Sequence, residues 1–145
     1  QTFPLIHKKK IQKSSGFLSL SKSKNFAIIS TGCMVHNSLE IVTKLKKLNI
    51  NIELIDLYKI SPISKKFINN LKKFKKIITI EENFLNGGIG SILSELILDN
   101  KFNIKLLRLG LKNNILYNYG SRKYLHKSHQ LDSNNLNKIA IKYFK

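Results

Sequence analysis

The chain has 145 residues and carries 26 lysines and arginines against 8 aspartates and glutamates, which gives a formal net charge of +18. The length suits one domain with a buried core, and no apolar run reaches the roughly 18 residues that a membrane helix needs. We therefore expect no membrane partner. The single cysteine, Cys33, excludes an internal disulfide and a multi-cysteine metal site.

The positive charge is almost entirely lysine, since Arg108 and Arg122 are the two arginines. Readout of bases and phosphates favours the planar guanidinium of arginine, and the lysines form no cluster interleaved with aromatic residues. They are scattered among many isoleucines and asparagines, which is typical of an AT-rich coding sequence. We interpret the charge as a solvated surface and expect no nucleic-acid partner.

Residues 1–24 have no clear period, although a short strand fits near 17–20. We interpret 1–24 as a linker from a missing upstream domain and 25–145 as the folded domain. The first residue, Gln1, is not a methionine, and no signal-peptide core follows it. We expect a fragment cut from a longer, cytoplasmic protein, or one from a plastid-type organelle in a eukaryote.

Short apolar runs alternate with amphipathic stretches along the rest of the chain. This alternation predicts an α/β fold in three αβα layers, with a mainly parallel sheet of about five strands. Ser64, Ser121 and Ser133 are the expected N-caps of three helices. The predicted strands are 26–30, 52–57, 77–80 and 104–109. The predicted helices are 35–48, 65–74, 91–98, 121–129 and 134–144.

Residues 76–91 form one βα unit in which a strand is followed by a glycine turn and a helix. Gly87, Gly88 and Gly90 permit positive φ and a close approach of the backbone. Such a turn can bind a phosphate at the helix N-terminus, but it lacks the Lys-Ser/Thr of a P-loop and the spacing of a dinucleotide fingerprint. We favour a structural turn that lets helix and strand pack closely.

Glu81 and Glu82 are adjacent carboxylates at the end of the same strand. Two carboxylates can act as general acid and base. Successive strand residues, however, point to opposite faces of a sheet, so we do not expect this pair to share a proton. Structural or interface roles are favoured for both.

Four other residues are candidates because they lie in predicted turns. Thr31 and Gly32 follow the first long strand, where a structural turn and an interface contact remain equal alternatives. Arg122 follows Ser121 at a predicted helix start. It either anchors a carboxylate across an interface, binds an anion, or is a surface arginine.

The remaining chemistry-bearing residues form no recognisable catalytic set. His126 and His129 have a metal-compatible spacing on a helix, with Asp132 as the nearest third ligand, and we favour a surface pair. Cys33 is expected to be buried and inert in a strand-to-helix turn. No Ser-His-Asp or Cys-His arrangement follows from the sequence, so no catalytic, cofactor-binding or metal residue is assigned.

Several segments together resemble one protein family. EENFLNGGIGS, residues 81–91, is similar to the signature of the C-terminal domain of transketolase-type, thiamine-diphosphate-dependent enzymes. The resemblance covers residues 25–144 and implies one antiparallel edge strand beside the parallel ones. One departure is Ser61-Pro62-Ile63-Ser64, where the family has Lys-Pro-(Leu/Ile)-Asp. The other matching segments are 27–35, 55–63, 109–111, 119–122 and 130–132.

The resemblance implies an enzyme that uses thiamine diphosphate and Mg²⁺ to transfer two-carbon units. The members implied first are transketolase, including its split form, and 1-deoxy-D-xylulose-5-phosphate synthase, with the β subunit of pyruvate-dehydrogenase-type decarboxylases third. Their cofactor is bound by upstream pyrimidine-binding and diphosphate-binding domains or subunits, so none is expected here. This chain would serve domain and subunit assembly in a homodimer. The rivals are a basic module for RNA or an acidic partner, and a non-catalytic dimerisation domain.

Overall fold

The computed structural model describes residue 6 and residues 15–112 and 119–145. Five strands in these ranges form one sheet. The strands are β1 Phe17–Ser19, β2 Phe26–Ser30, β3 Glu53–Leu57, β4 Lys76–Phe84 and β5 Lys105–Leu111.

The strands lie side by side in the order β1-β3-β2-β4-β5. β1 is antiparallel to β3, and the three other neighbouring pairs are parallel. This arrangement confirms the predicted mainly parallel sheet with one antiparallel edge strand. β1 falls within the segment 1–24 assigned to a linker, so part of that segment belongs to the sheet, while the linker itself stays a prediction.

Helices cover both faces of the sheet, as the predicted αβα layers require. Side chains alternate along each strand, so Ile28 and Ile78 face one core with α1 and α5, whereas Ala27 and Ile77 face the other with α2 and α3. No helix among the described residues has the length and apolar character to cross a membrane. The helices are α1 Met34–Lys47, α2 Lys65–Leu71, α3 Ile89–Asp99, α4 Arg122–Ser128 and α5 Ser133–Phe144.

Two boundaries differ from the sequence prediction for reasons that the structure shows. β4 continues past Ile80 to Phe84 because Phe84 still pairs with Leu111 of β5 across an irregularity in register. The N-cap of α5 is Asp132, whose carboxylate accepts the N–H groups of the first turn, and not Ser133. The sequence also predicts an irregular segment over 111–119, of which 113–118 lie outside the described residues.

A buried carboxylate on β3 binds the edge strand β1 through a side-chain hydrogen bond. Glu53, at the start of β3, is 1% exposed. It accepts hydrogen bonds from Ser19 Oγ at 2.8 Å, from the Ser23 N–H at 3.3 Å and from Lys73 Nζ at 2.7 Å. Burial raises the pKa of Glu53, but these hydrogen bonds and the Lys73 charge outweigh it and hold the pKa below its ordinary value.

Replacing Glu53 with Gln should lower the free energy of unfolding by about 1–3 kcal/mol, because buried donors lose their ionised acceptor. A lowered carboxyl pKa contributes stability that is complete above the unfolded pKa of about 4.3 and is lost as pH falls through the folded value. Urea melts across acidic pH should therefore show a shallower pH slope for Glu53→Gln. Glu95→Gln, at an exposed position of α3, is the control, and an equal slope in wild type and Glu53→Gln would contradict the prediction.

Candidate functional site

The predicted site residues gather at the carboxyl end of the sheet, the end at which the parallel strands β2, β3, β4 and β5 finish. Ligands of open α/β sheets bind at this end. A surface cavity of about 480 Å³ opens here. Thr31, Glu82, Gly87 and Gly88 line it together, whereas Glu81 is buried.

The Glu81 carboxylate caps α3 from the neighbouring strand. Its Oε2 accepts the Ile89 N–H at 2.9 Å and its Oε1 accepts the Gly90 N–H at 3.0 Å. The first N–H groups of a helix lack partners within the helix and carry the positive end of its dipole. Gly88, the N-cap residue, has no side chain to serve them, so Glu81 supplies the acceptor.

Opposing influences act on the pKa of Glu81. Burial raises its pKa, while the N–H groups of Gly90 and Ile89 and the charge of Arg108 lower it. Burial is the larger influence, so the pKa lies above its ordinary value. Ionised Glu81 therefore costs stability: its contribution is most favourable below the unfolded pKa and declines as pH rises through the folded value.

The glycine turn has the shape that this cap requires. Gly87 has a φ of +78°, a conformation that side chains disfavour. A Cβ on Gly88 would lie 2.5 Å from the Glu81 carboxylate carbon and closer still to Oε2, and one on Gly90 would lie 2.9 Å from Thr79 Oγ1. These distances support the structural interpretation of the turn, because the helix N-terminus that a phosphate would use already holds a carboxylate.

Glu82 faces the opposite side of β4 and binds α4. Arg122 donates from Nε to Oε1 at 2.6 Å and from Nη2 to Oε2, and His126 Nε2 lies 2.6 Å from Oε1. Burial raises the pKa of Glu82, but the hydrogen bonds and charges of Arg122 and His126 hold it below its ordinary value. The two adjacent glutamates thus have separate partners on opposite faces, as strand alternation predicts.

α4 begins after the predicted N-cap residue, but one of its histidines is more buried than predicted. Ser121 Oγ accepts the Tyr124 N–H at 3.3 Å, which confirms it as the N-cap. His126 and His129 are expected to form a surface pair, and for His126 this prediction is wrong. Its side chain is only 12% exposed and contacts Glu82. Across the described residues no three His, Cys, Asp or Glu side chains lie together in a way that fits a metal ion.

The turn after β2 meets the same cluster. Gly32 has a φ of +56° and a Cβ there would meet no atom within 4 Å, so its backbone conformation is what favours glycine. Cys33 is partly exposed, so the expectation of a buried thiol is wrong. The pKa of Arg122 is raised chiefly by its hydrogen bond to Glu82, then also by one to the Cys33 side chain, against a lowering by burial. Arg122 therefore joins β4, α4 and the β2–α1 turn.

Sequence reasoning missed two members of the site, His126 and Arg108. Arg108 Nη1 donates to Ser91 Oγ at 3.2 Å, and a Cβ on Gly90 would lie 2.8 Å from Arg108 Cδ. The sequence does carry a signal for Arg108, because arginine is rare in this lysine-rich chain. The two arginines, Arg108 and Arg122, both lie near the end of β4. His126 has no such signal, since its partner is 44 residues away in the chain.

Comparison with known proteins identifies the family of this chain. Residues 17–136 match the family described as the transketolase C-terminal domain. Over 125 residues the chain is 33% identical to a 1-deoxy-D-xylulose-5-phosphate synthase of Clostridium acetobutylicum, covering 86% of this chain and 20% of that protein. Over 123 residues it is 28% identical to an apulose-4-phosphate transketolase subunit of Actinobacillus succinogenes, covering 84% of this chain and 40% of that protein.

The fold matches as well. A solved structure of a split-gene transketolase, an inactive β4 tetramer, superposes with a TM-score of 0.84 at 20% identity, covering 97% of this chain and 46% of that one. The chain belongs to the transketolase C-terminal domain family. It spans between a fifth and two fifths of the length of these curated relatives.

Gly88→Ala should destabilise the fold by about 1–3 kcal/mol, because the new methyl group overlaps the Glu81 carboxylate. In a Glu81→Ala background the same substitution should cost less than about 1 kcal/mol, since the obstacle is gone. Chemical denaturation of the four proteins closes the double-mutant cycle. Additive effects would show that Gly88 is required for a reason unrelated to Glu81.

Arg122→Lys should loosen α4 while leaving the sheet intact. Lysine keeps the charge but cannot bind both oxygens of Glu82 in the planar arrangement of a guanidinium. Because both side chains are about a third exposed, we expect a local loss of only about 1 kcal/mol. Hydrogen exchange of the α4 amides measures it, with Lys123→Gln as control; unchanged protection of α4 in Arg122→Lys refutes the prediction.

Proposed function

We propose that this chain is the C-terminal module of a transketolase-type, thiamine-diphosphate-dependent enzyme and that it serves domain and subunit assembly instead of chemistry. The observation that carries the proposal is the Glu81 cap. The glycine-opened N-terminus of α3 holds a buried carboxylate of the same chain. A diphosphate has no free helix N-terminus there.

The described residues at the carboxyl end of the sheet do not fit the cofactor of this enzyme class. A bound diphosphate needs cationic groups or a divalent metal ion, and the described residues offer no cluster of three metal-binding side chains. Arg122 is directed to Glu82, and Arg108 to Ser91 and the Leu85 carbonyl. We therefore assign thiamine diphosphate and Mg²⁺ to pyrimidine-binding and diphosphate-binding modules outside this chain, and no reaction step to its residues.

The exposed surface at the carboxyl end fits an assembly role. Ile60 and Phe84, on the rim of the cavity beside the glycine turn, are 46% and 44% exposed. Adjacent exposed apolar side chains with a polar surround are typical of protein–protein contacts. We propose that this rim meets the cofactor-binding part of the enzyme, within a homodimer of the complete assembly.

The reaction proposed for that assembly is transfer of a two-carbon ketol or acyl unit to a sugar phosphate. The names of the relatives support this class, since one is a 1-deoxy-D-xylulose-5-phosphate synthase and another is a subunit of a transketolase. The proposal covers both reactions, because in it the described residues serve assembly and the substrate is bound by the other modules.

The test is reconstitution with the polypeptide that carries the cofactor-binding modules in the same source. The chain alone should give no calorimetric signal with thiamine diphosphate and Mg²⁺, and the co-purified assembly should bind both and transfer ketol units. Micromolar binding by the chain alone would overturn the assignment of the cofactor to other modules.

A variant pair tests the assembly surface itself. Ile60→Asp with Phe84→Asp should abolish co-purification. Neither side chain belongs to the two core clusters, so the chain should still fold, and thermal melts check this. Leu98→Asp is the matched control, since Leu98 is 78% exposed at the far end of α3. If Leu98→Asp loses co-purification while the Ile60→Asp and Phe84→Asp variant keeps it, the contact lies at another surface.

A further inference from the structure

Many of the described lysines lie at the amino end of the sheet, opposite the site described above. Lys22 and Lys24 precede β2, while Lys44, Lys46 and Lys47 occupy the last turn of α1, which returns to the start of β3. All five are exposed. These lysines are far apart along the sequence. The parallel topology brings their segments to one end of the sheet.

The connection from α2 to β4 adds to the same surface. Lys72, Lys73 and Lys75 are exposed there. Among the described acidic residues at this end, Glu53 is buried and already bound to Lys73 Nζ, and Asp99 is exposed at the end of α3. The eight exposed lysines named here therefore outnumber the two acidic residues, so this surface carries a net positive charge.

A polar cavity of about 420 Å³ lies within this lysine surface. Lys22 and Lys24 line it together with Asn25, Asn49 and Asn51. Ammonium and amide groups donate hydrogen bonds, and a carboxylate accepts them. The cavity and the surrounding lysines thus offer donors and positive charge to an acidic side chain and its neighbours.

We propose that the amino end of the sheet is a docking surface for an acidic polypeptide segment, a run of Asp and Glu side chains on a partner protein. The surface is lysine without arginine, so it presents point charges and no bidentate fork for phosphates or bases. Two aromatic residues, Phe26 and Phe144, line the cavity. Phe144 is 4% exposed and Phe26 packs against the core, so neither ring offers an open face on which a base could stack. These features favour an acidic protein over a nucleic acid, and the surface is independent of the proposed enzyme assembly.

The experiment compares two variants of equal net charge in the full chain. In the first, Lys22, Lys24, Lys46 and Lys47 become Gln at the amino end. In the second, four exposed lysines at the carboxyl end become Gln, namely Lys59, Lys65, Lys66 and Lys112. Lys73 and Lys76 stay unchanged because Glu53 and the Tyr143 carbonyl bind their ammonium groups. Thermal melts confirm that both variants fold.

The probe is a fluorescent oligoglutamate peptide, and fluorescence anisotropy reports its binding. Wild type should bind it with an affinity that falls as salt is added. The amino-end variant should bind about tenfold more weakly and the carboxyl-end variant within about twofold of wild type, because exposed ion pairs act locally. Equal losses in the two variants, or no binding by wild type, would overturn the proposal. Tighter binding of single-stranded oligouridylate than of the peptide would overturn it in favour of nucleic acid.

Discussion

The buried carboxylate of Glu81 is the constraint on which the carboxyl end of this domain depends. It reaches from β4 to the first N–H groups of α3, so strand and helix must lie close together. Gly88 is required there because any side chain would displace that carboxylate, and Gly87 supplies the positive φ that starts the turn. The raised pKa of Glu81 shows that the contact carries a desolvation cost, which the surrounding fold must offset.

β4 couples both helical layers because its two glutamates face opposite ways. Glu81 holds α3 on one face, and Glu82 holds α4 on the other through Arg122 and His126. The neighbours of Glu82 outweigh its burial and lower its pKa, whereas those of Glu81 do not. One strand end therefore contains two carboxylates whose pKa values shift in opposite directions. The difference comes first from burial, since Glu81 is 0% exposed and the Glu82 side chain is 35% exposed, and then from the Arg122 guanidinium that binds Glu82 directly.

The sequence predicted what depends on local pattern and missed what depends on distant partners. β2 and α1 follow from an apolar run and a helical period, so their bounds are close to those observed. The extension of β4 to Phe84 depends on pairing with β5, and the burial of His126 depends on Glu82, neither of which has a local signature. The opposite faces of Glu81 and Glu82 were predictable because alternation along a strand is local.

The two ends of the sheet are electrostatically separate. Strands such as β2, with five residues, span about 17 Å, and the Debye length at physiological salt is about 8 Å. Lysines at the amino end therefore contribute little to the potential around Glu82 and Arg122. Separation of this kind lets the chain carry many lysines without weakening a cluster that depends on balanced charge. The acidic partner proposed for the amino end and the assembly contact proposed beside Phe84 are therefore compatible, since the two surfaces do not overlap.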